Sequence, residues 1–542
     1  MLWREAPAAQ KRIFLEIKKA LCYYFNGIIT QNKRRCAMNG KKMLLGINTN
    51  FNNINSESVS FNSVRGNLDF VVAHTDPHCE PLEAATAKTL AAAKLLDESG
   101  IDYVANFEFQ NFQHDATAPD GTEWVLNTES LHRLAIPGEY IKALCRSEHF
   151  KGVMYDEFEH TIINRNLSIS LASKGKIKKS VFPLLEGDDP VEQGELLSSQ
   201  AGAYAAEIKS KGAKIFVGEH VFPVLFHTFA RNGIIPNFKS QKEGVSNLYF
   251  AFAAGAALQY GTPLWNCVDC WFRMTNPGHS ADEMFYNLRF ADLAGVNNVY
   301  VESTSVFTDG SGKPNEYAER FNDFANNYLN KSRDYDVHDY RPEVGIIRYD
   351  DTYWGQGDPF VWRKMLFGNK KIKPDRRSKE VLGIFSMITH GETSKGSFNW
   401  DKISPWALRR HRSFMTANSP AVFDDRAGKE FLQSLKLCFL SGIHISGQTL
   451  SAVSELVREN GLTVVTPKRF APEEILGKAG GGYSEIADGK GVWIVTDKLF
   501  SSRVRKRIAP FLGKKGEIRL TFEGGKEIRL KITGNGDSFE VL

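Results

Sequence analysis

Gly152-Val-Met-Tyr-Asp-Glu-Phe158 is a short apolar run that ends next to two acids. Similar runs, rich in apolar and β-branched residues, recur from residue 43 to about residue 305. Their length and composition favour strands over helices. The predicted strands cover residues 43–49, 69–75, 103–109, 152–158, 214–219, 234–238, 264–268 and 298–302.

Amphipathic stretches separate most of these strands and predict helices at residues 81–99, 130–146, 191–211, 247–260 and 281–294. Strand–helix alternation repeated about eight times indicates a parallel sheet, and eight such units close a (β/α)8 TIM barrel. We therefore expect a catalytic barrel over residues 43–335. Residues 167–173 and 181–185 could supply a further strand, so the strand count stays open by one.

A second α/β pattern begins at Glu343-Val-Gly-Ile-Ile347, after the polar segment 332–342. It continues through an apolar run at 381–387, a helix at 429–439, an apolar run at 442–445, a helix at 447–460 and an apolar run at 462–465. From about residue 480 only strand-like runs remain, at 492–496, 517–522 and 527–532. Gly524-Gly525 between the last two favours a hairpin. We predict an α/β domain over 342–470 and a small β-sandwich domain over 480–542.

The composition is that of a globular protein, with 42% hydrophobic and 24% charged residues among 542. A chain of this length is expected to form several domains. The net charge of +5 is too small to indicate a nucleic-acid partner, and no apolar run approaches the roughly 20 residues of a membrane span. The seven cysteines are scattered, and the lone Cys267-Val-Asp-Cys270 lacks the further ligands of a structural zinc site. We expect a cytoplasmic protein that needs no metal or cofactor.

The first 42 residues differ from the rest, since they hold ten Lys and Arg and two acids. Their best apolar stretch, residues 20–25, is short for a signal peptide. We predict a basic extension that is dispensable for folding, with a degenerate export signal as the alternative.

Acids stand at or near the ends of most predicted barrel strands. Because catalytic residues of TIM barrels lie at the carboxyl ends of the strands, these positions favour a shared site. Asp and Glu are otherwise depleted in strands. Facing carboxylates that need no metal cleave glycosidic bonds, one protonating the leaving oxygen and the other attacking the anomeric carbon or activating water. The acids are Asp76, Glu108, Asp156, Glu157, Glu219, Asp269 and Glu302.

Aromatic and amide side chains near the same strand ends suit a sugar substrate. Aromatic rings can stack on pyranose faces, and amide or imidazole groups can bind hydroxyls. The predicted substrate-binding residues are Asp156, Glu108, Asn106, His74, Trp265, Asp269 and Trp271.

The order of barrel, α/β domain and β domain resembles that of glycoside hydrolase family 42 β-galactosidases and family 164 β-mannosidases, of the clan A barrel superfamily. Leu440-Ser-Gly-Ile-His-Ile-Ser446 is similar to part of their second, glutamine-amidotransferase-like or flavodoxin-like domain. Pro277-Gly-His-Ser-Ala-Asp-Glu283, leading to Val299-Tyr-Val-Glu302, resembles a barrel helix that precedes a catalytic strand. The resemblance implies a retaining β-glycosidase that acts on a carbohydrate substrate, assembles as a homo-oligomer such as a trimer, and has no nucleic-acid or membrane partner.

Those families place an acid/base glutamate after strand four and a nucleophilic glutamate after strand seven. The resemblance therefore implies Glu157 as acid/base and Glu302 as nucleophile, with carboxyl oxygens roughly 5–6 Å apart, the separation that favours retention. Two departures stand out. Asp156 replaces the asparagine that usually precedes the acid/base, and the strand count puts Glu302 on strand eight. Glu219 is the alternative second carboxylate.

Four other interpretations compete with this one. A metal-dependent hydrolase would use His74, His78 and His220, although two histidines four apart fit one metal better on a helix than beside Pro77. An active amidotransferase would need a nucleophile elbow, and Cys438 has no flanking glycines. A non-catalytic carbohydrate-binding barrel, or an inverting or α-specific glycosidase, remains the further alternative.

Overall fold

The computed structural model describes residues 41–75, 82–107, 138–163, 185, 187–220, 223–241, 245–270, 279–302, 304–331, 333–353, 365–393 and 412–542. Residues 43–542 form one compact unit. Within the described residues, no helix is long and apolar enough to span a membrane. The predictions for residues 1–40, 76, 78, 108, 167–173 and 271 lie outside the described part of the chain.

Eight parallel strands close the predicted barrel, each paired with its neighbours in chain order, and β8 pairs back to β1. All eight predicted strands are present, including the first, so the barrel is confirmed. The strands are β1 Leu44–Asn50, β2 Phe70–His74, β3 Asp102–Asn106, β4 Phe150–Tyr155, β5 Ile215–His220, β6 Ile235–Ser240, β7 Trp265–Val268 and β8 Asn298–Val301.

Helices connect and surround these strands, and their sequences explain their boundaries. The helix Pro190–Ser210 starts with proline at its first position behind the capping Asp189, whose side chain accepts from the backbone N–H groups of Val191 and Glu192. Ser280 and Glu283 form a capping box at the start of the helix Ala281–Leu293. The described helices of this region are α1 Val59–Asn62, α2 Leu82–Ser99, α3 Gly138–Leu144, α4 Phe158–Ile163, α5 Pro190–Ser210, α6 Phe226–Arg231, α7 Ser246–Tyr260, α8 Ala281–Leu293 and α9 Glu316–Asn327.

Alternate strand residues point into the barrel, where they form a core of their own. It comprises Phe70, Val72, Val104, Met154, Val217, Ile235, Trp265, Cys267 and Tyr300. Gly46 faces this core because a Cβ there would come within 2.7 Å of the Phe70 ring. Leu45 and Ile47, the neighbours of Gly46, belong to the larger core outside the barrel. This alternation fixes which side chain at each strand end faces the barrel axis.

A six-stranded sheet follows the barrel, in the order β11-β9-β12-β13-β15-β14. All neighbours in it are parallel except β14 and β15. The strands are β9 Val344–Ile347, β11 Pro420–Phe423, β12 Leu437–Leu440, β13 Thr463–Thr466, β14 Ser484–Asp488 and β15 Gly491–Val495, and the helices of this part are α10 Glu380–Ile388, α11 Lys429–Leu432, α12 Gly447–Asn460, α13 Glu473–Leu476 and α14 Ser502–Ile508.

A second, four-stranded mixed sheet has the order β10-β16-β17-β18. It consists of β10 Ala417–Asn418, β16 Glu517–Thr521, β17 Glu527–Thr533 and β18 Ser538–Val541, and the predicted hairpin joins β16 to β17. One detail of the prediction was wrong, and a second is not confirmed. The run at 492–496 pairs with β13 in the six-stranded sheet, not with the C-terminal strands. The single four-stranded sheet also does not reproduce the predicted sandwich. The domain boundaries at 335, 342, 470 and 480 stay predictions.

The six-stranded sheet supports the barrel next to β5. Asp350, which follows β9, accepts hydrogen bonds from the N–H groups of Leu225 and Thr228 at 3.0 and 2.9 Å and so caps helix α6. His227 of that helix contacts the carbonyl oxygen of Val422 in β11 through Nε2 at 2.8 Å. The C-terminal region therefore holds in place the helix that follows Glu219.

Candidate active site

A polar side chain from each barrel strand lies at the carboxyl end of the barrel interior. The alternation places these residues on the same side of the strands as the interior core. Three of them, Asp156, Asp269 and Glu302, directly follow the last residue of their strands. In strand order the set is Asn48, His74, Asn106, Asp156, Glu219, Lys239, Asp269 and Glu302.

Lys239 of β6 is the centre of this set. Its ammonium nitrogen lies 3.1 Å from Glu219 Oε1 and 3.1 Å from Glu302 Oε2. It also lies 3.2 Å from Asp156 Oδ1 and 3.4 Å from Asp269 Oδ2. Glu157 is not among these four partners. Four acids from four strands therefore converge on one buried cation.

The side chains of the acid cluster differ in how far they are exposed to solvent. The Glu302 side chain is 14% exposed, whereas those of Asp156, Glu219, Lys239 and Asp269 are at most 2% exposed. Glu302 is thus the member of the cluster that is most open to solvent.

Burial sets the proton balance of the cluster. It raises the pKa of Glu219 well above its usual value, and the neighbouring Asp156 carboxylate adds to the rise, while Lys239 opposes it. Burial alone would lower the pKa of Lys239, but Asp156, Glu219 and the other carboxylates raise it well above its usual value. Burial therefore favours the protonated form of Glu219, and the surrounding carboxylates favour the charged form of Lys239.

Tyr300 and Cys267 complete the surroundings of the two glutamates. The Tyr300 hydroxyl donates to Glu219 Oε2 at 2.8 Å and accepts from Asn237 Nδ2 at 2.8 Å. The Cys267 thiol donates to Glu302 Oε2 at 3.3 Å. One oxygen of Glu219 and one of Glu302 lie within 4.8 Å of each other. Glu302 Oε2 thus receives both a thiol and an ammonium donor.

A cation site is the other chemistry that this geometry suggests. Glu219, Cys267 and Glu302 each offer a ligand atom close enough to share one metal ion. The ammonium of Lys239, however, already lies 3.1 Å from both glutamates. The Lys239 ammonium would therefore compete with a metal ion for the same glutamate oxygens.

The histidines of the rival metal site do not converge among the described residues. His220 faces outward from β5, stacks on Phe226 with ring centroids 4.1 Å apart, and contacts the Val224 carbonyl oxygen at 2.8 Å. His74 lies at the end of β2, where its Nε2 is 3.4 Å from Asn106 Nδ2. His78 lies outside the described residues.

The other predicted site residues occupy different places. Trp265 starts β7 instead of ending it, so it packs in the interior core, with its ring 5.1 Å from that of Phe70. Asn106 is buried, and its Oδ1 accepts from the backbone N–H of Asp156 at 3.4 Å. Glu157 is 4% exposed and has a φ of 53°, in the left-handed region. Glu108 and Trp271 lie outside the described residues.

Two residues of the site, Lys239 and Asn48, were missed in the sequence. Lys239 lies at an inward position of the β6 run Ile235-Pro-Asn-Phe-Lys239. A lysine there is the sequence signal, but the prediction rested on acids at strand ends. Asn48 is 1% exposed, and neither its side-chain nitrogen nor its oxygen has a hydrogen-bond partner in the described part of the chain. An amide left unpaired at the top of the barrel is available to a ligand or to water.

The strand count settles where the predicted acids stand. Glu157 follows β4, as the resemblance implies, but Glu302 follows β8 because β1 is part of the barrel. Strand seven is followed by Asp269, which therefore holds the position that the resemblance assigns to the nucleophile.

No family model matches the chain, and no curated protein matches it either. Solved structures that are similar to it include an exo-carrageenase of glycoside hydrolase family 42 from Bacteroides ovatus, with 10% identity and a TM-score of 0.39 over 91% of this chain and 72% of that one. A β-mannanase from Thermomonospora fusca matches with 10% identity and a TM-score of 0.28 over 51% of this chain and 82% of that one.

A protein from Bacteroides fragilis, assigned as an α-galactosidase, matches with 10% identity and a TM-score of 0.29 over 52% of this chain. The chain spans 60% of the length of that protein. The similarity to barrel glycoside hydrolases is thus one of fold. Because all three TM-scores lie below 0.5, we derive the reaction from the site and not from these structures.

Proposed function

We propose that the chain is a retaining glycoside hydrolase that acts on β-glycosidic bonds, of the β-galactoside or β-mannoside type. The observation that carries the proposal is the pair of Glu219 and Glu302, whose oxygens approach within 4.8 Å around Lys239. Retaining glycosidases hold their two carboxyl groups about 5–5.5 Å apart, whereas inverting enzymes need roughly 6.5–9.5 Å to admit a water. The short approach supports retention.

The different surroundings of the two glutamates support different roles. Glu302, the more exposed one, is the nucleophile, and its carboxylate oxygen forms a bond to the anomeric carbon as the glycosidic bond breaks. Burial raises the pKa of Glu219 and so favours its protonated form, which suits it to give a proton to the leaving oxygen. In the second step Glu219 takes a proton from water, and the water oxygen displaces Glu302 from the anomeric carbon.

Glu157 is the alternative acid/base that the resemblance implies. Its left-handed backbone conformation is uncommon for a residue with a side chain, and such outliers cluster at active sites. Glu157→Ala tests this role directly. An acid/base variant keeps activity on activated aryl glycosides and regains rate with azide, whereas a variant outside the reaction shows neither effect.

A panel of nitrophenyl glycosides tests the proposal as a whole. We expect the full chain to hydrolyse at least one of them with retention, seen by proton NMR of the first-formed anomer. Glu302→Gln should lower kcat by at least about 100-fold on every substrate, whereas Glu219→Gln should lose most activity on glycosides with a poor leaving group. Glu207→Gln is the matched control, since Glu207 pairs with Lys211 at 2.7 Å on a helix outside the site. No hydrolysis across the panel would contradict the proposal.

A non-catalytic carbohydrate-binding barrel is the second candidate. The observation that favours it is the full burial of Glu219, Asp156 and Asp269 around Lys239. A charge cluster with a purely structural role would be buried in the same way. It predicts sugar binding without turnover, with the same affinity in Glu302→Gln as in the unaltered chain. Calorimetric titration with the panel sugars separates the two candidates.

We also infer that the six-stranded sheet belongs to a flavodoxin-like domain. Its five parallel strands, counted along the chain, stand in the order 2-1-3-4-5, which is the order of one doubly wound family. The resemblance assigns such a domain to subunit assembly. Light scattering of the purified chain should therefore give the mass of a homo-oligomer, and a monomer mass would contradict this assignment.

A further inference from the structure

Ten exposed cations lie in three segments next to the six-stranded sheet. In the described part of the chain none of these ten forms an ion pair, whereas Lys429 and Lys531, for example, do. We name these ten the basic stripe: Lys370, Lys371, Lys373, Arg376, Lys379, Lys468, Lys498, Arg503, Arg505 and Lys506.

Two hydrogen bonds and a ring contact bring the three segments together. The Arg376 guanidinium donates to the backbone oxygen of Asp497 at 2.8 Å, and the backbone N–H of Lys468 donates to Asp497 Oδ1 at 3.2 Å. The Phe500 ring lies against Gly383, where a Cβ would come within 2.5 Å of it. Residues 370–383, 468 and 497–506 are therefore neighbours in space.

The place of the basic stripe in the fold favours a ligand. Lys468 follows β13 and Lys498 follows β15, so part of the stripe lies at the carboxyl ends of parallel strands. Ligands of open α/β sheets bind outside the carboxyl ends of the strands, at the point where the strand order reverses, which here lies between β9 and β12. The basic stripe adjoins this point on the same edge, beside the next strands β13 and β15. The helix Ser502–Ile508, which carries Arg503, Arg505 and Lys506, begins on the same side, shortly after β15.

The charge of the basic stripe stands out against the rest of the chain. From residue 43 onward the chain has 58 Lys and Arg against 61 Asp and Glu. Without the ten stripe residues the balance is 48 against 61. Unpaired cations that cluster repel one another, and a bound polyanion removes this repulsion by replacing the counterions.

We propose that the basic stripe binds a single chain of an anionic polysaccharide, one that carries sulfate or carboxylate groups. This choice rests on the proposed glycosidase function. Arginine forks match such groups with paired hydrogen bonds. The acids of the barrel site repel anionic groups, so an anionic polymer needs its anchor elsewhere. Cations confined to three segments of an otherwise acidic chain fit one flexible strand better than a membrane or a DNA duplex, whose broad negative surfaces would also meet the acidic surroundings.

Binding of dextran sulfate to the full chain, measured by calorimetry in low and moderate salt, tests the proposal, with unsulfated dextran of equal length as reference. We expect dextran sulfate to bind and dextran not to bind. The triple variant Arg503→Glu, Arg505→Glu, Lys506→Glu should weaken binding at least tenfold and lower the slope of log affinity against log salt by about 2 to 3.

A second triple variant, Lys94→Glu, Lys142→Glu, Lys531→Glu, is the matched control, since it changes the net charge equally at exposed sites outside the stripe. Its affinity should stay within about threefold of that of the unaltered chain. Residues 1–42 carry ten cations in every variant, so the difference between the two triples reports the stripe alone. Circular dichroism confirms that both are folded.

Three results would overturn the proposal: equal binding of dextran and dextran sulfate, equal losses in both triples, or binding of duplex DNA or of phosphatidylserine vesicles as tight as that of dextran sulfate. The failure of the glycosidase proposal gives a different result. In that case no panel glycoside is hydrolysed, while dextran sulfate still distinguishes the two triples.

Discussion

Lys239 is the positive charge that stabilises the acids of the barrel interior, because four of them share its ammonium group. Removal of one partner from a buried ion pair costs about 3–5 kcal/mol, since the other partner stays buried and unpaired. Lys239→Met should therefore lower the free energy of unfolding at pH 7 by about that amount, measured by denaturant titration.

The pH dependence of Lys239→Met follows from the carboxylates that it leaves unpaired. Buried without a counter-charge, they bind protons more readily in the folded state than in the unfolded state, so the stability of the variant rises as pH falls from 7 toward 4. Lys151→Met removes an exposed partner of Asp102 and should cost less than about 1 kcal/mol at any pH. A loss in Lys239→Met that does not depend on pH would contradict this electrostatic role.

Asn48 should show the trade-off between stability and activity that marks a ligand-binding residue. Its amide is buried without a partner in the described part of the chain, which costs free energy. Asn48→Leu should raise the free energy of unfolding by about 1 kcal/mol and at the same time raise KM for the hydrolysed glycoside. A loss of stability in thermal unfolding would show that the amide is already satisfied, for example by water.

Strand-end residues were predictable from the sequence only in part. Acids such as Asp156, Glu219 and Glu302 stand out because they close apolar runs. Lys239 and Asn48 do not, because a lone lysine or asparagine in a strand usually faces solvent. Only the register of the closed barrel shows that they point inward.

Among the elements, helix α7 decides how closely the barrel and the six-stranded sheet approach. It packs on β11 through Gly255, where a Cβ would come within 1.7 Å of the Val422 oxygen. Gly255→Ala should therefore lower the free energy of unfolding by at least about 2 kcal/mol, against the usual gain from replacing a helical glycine.

Gly447 offers the matched control, because it lies in helix α12 and no atom is within 4 Å of the position that its Cβ would take. Gly447→Ala should leave the melting temperature unchanged or raise it slightly. Equal behaviour of the two variants would show that α7 and β11 are not in the close contact described here.

The barrel elements were easier to predict than those of the C-terminal part. Barrel strands alternate with long amphipathic helices, and both periods are visible in the sequence. The sequence predicts a helix at 429–439, but its last residues belong to strand β12, Leu437–Leu440, which is buried at all four positions. A run that is buried on both faces carries no alternation, so it resembles a helix end. The run at 381–387 is correspondingly helix α10.

At the scale of the whole molecule, the interface between the barrel and the six-stranded sheet should make stability depend on pH. Burial and the neighbouring Asp424 raise the pKa of Asp425 to about 7. The folded state then holds a proton that the unfolded state releases near pH 4, so stability falls as pH rises from about 4 to 7. The slope from this group is at most about 1.4 kcal/mol per pH unit.

Asp425→Asn should remove this part of the slope and make the variant more stable than the unaltered chain at pH 8. Denaturant titrations at pH 5 and pH 8 measure the difference. Asp375→Asn, at an exposed residue beside Arg377, should keep the slope of the unaltered chain. Parallel pH profiles for Asp425→Asn and the unaltered chain would contradict the role of Asp425.

The central claim is that Glu302 attacks the sugar from a site that it shares with Glu219 and Lys239. Mass spectrometry of the chain after incubation with the 2-deoxy-2-fluoro analogue of a hydrolysed glycoside tests this claim most directly, because such analogues trap the covalent intermediate of a retaining enzyme. We predict one sugar adduct per chain, located on the peptide that contains Glu302. An adduct on Asp269, Glu157 or Glu219, or a chain that turns over the glycoside but remains unlabelled, would contradict the account.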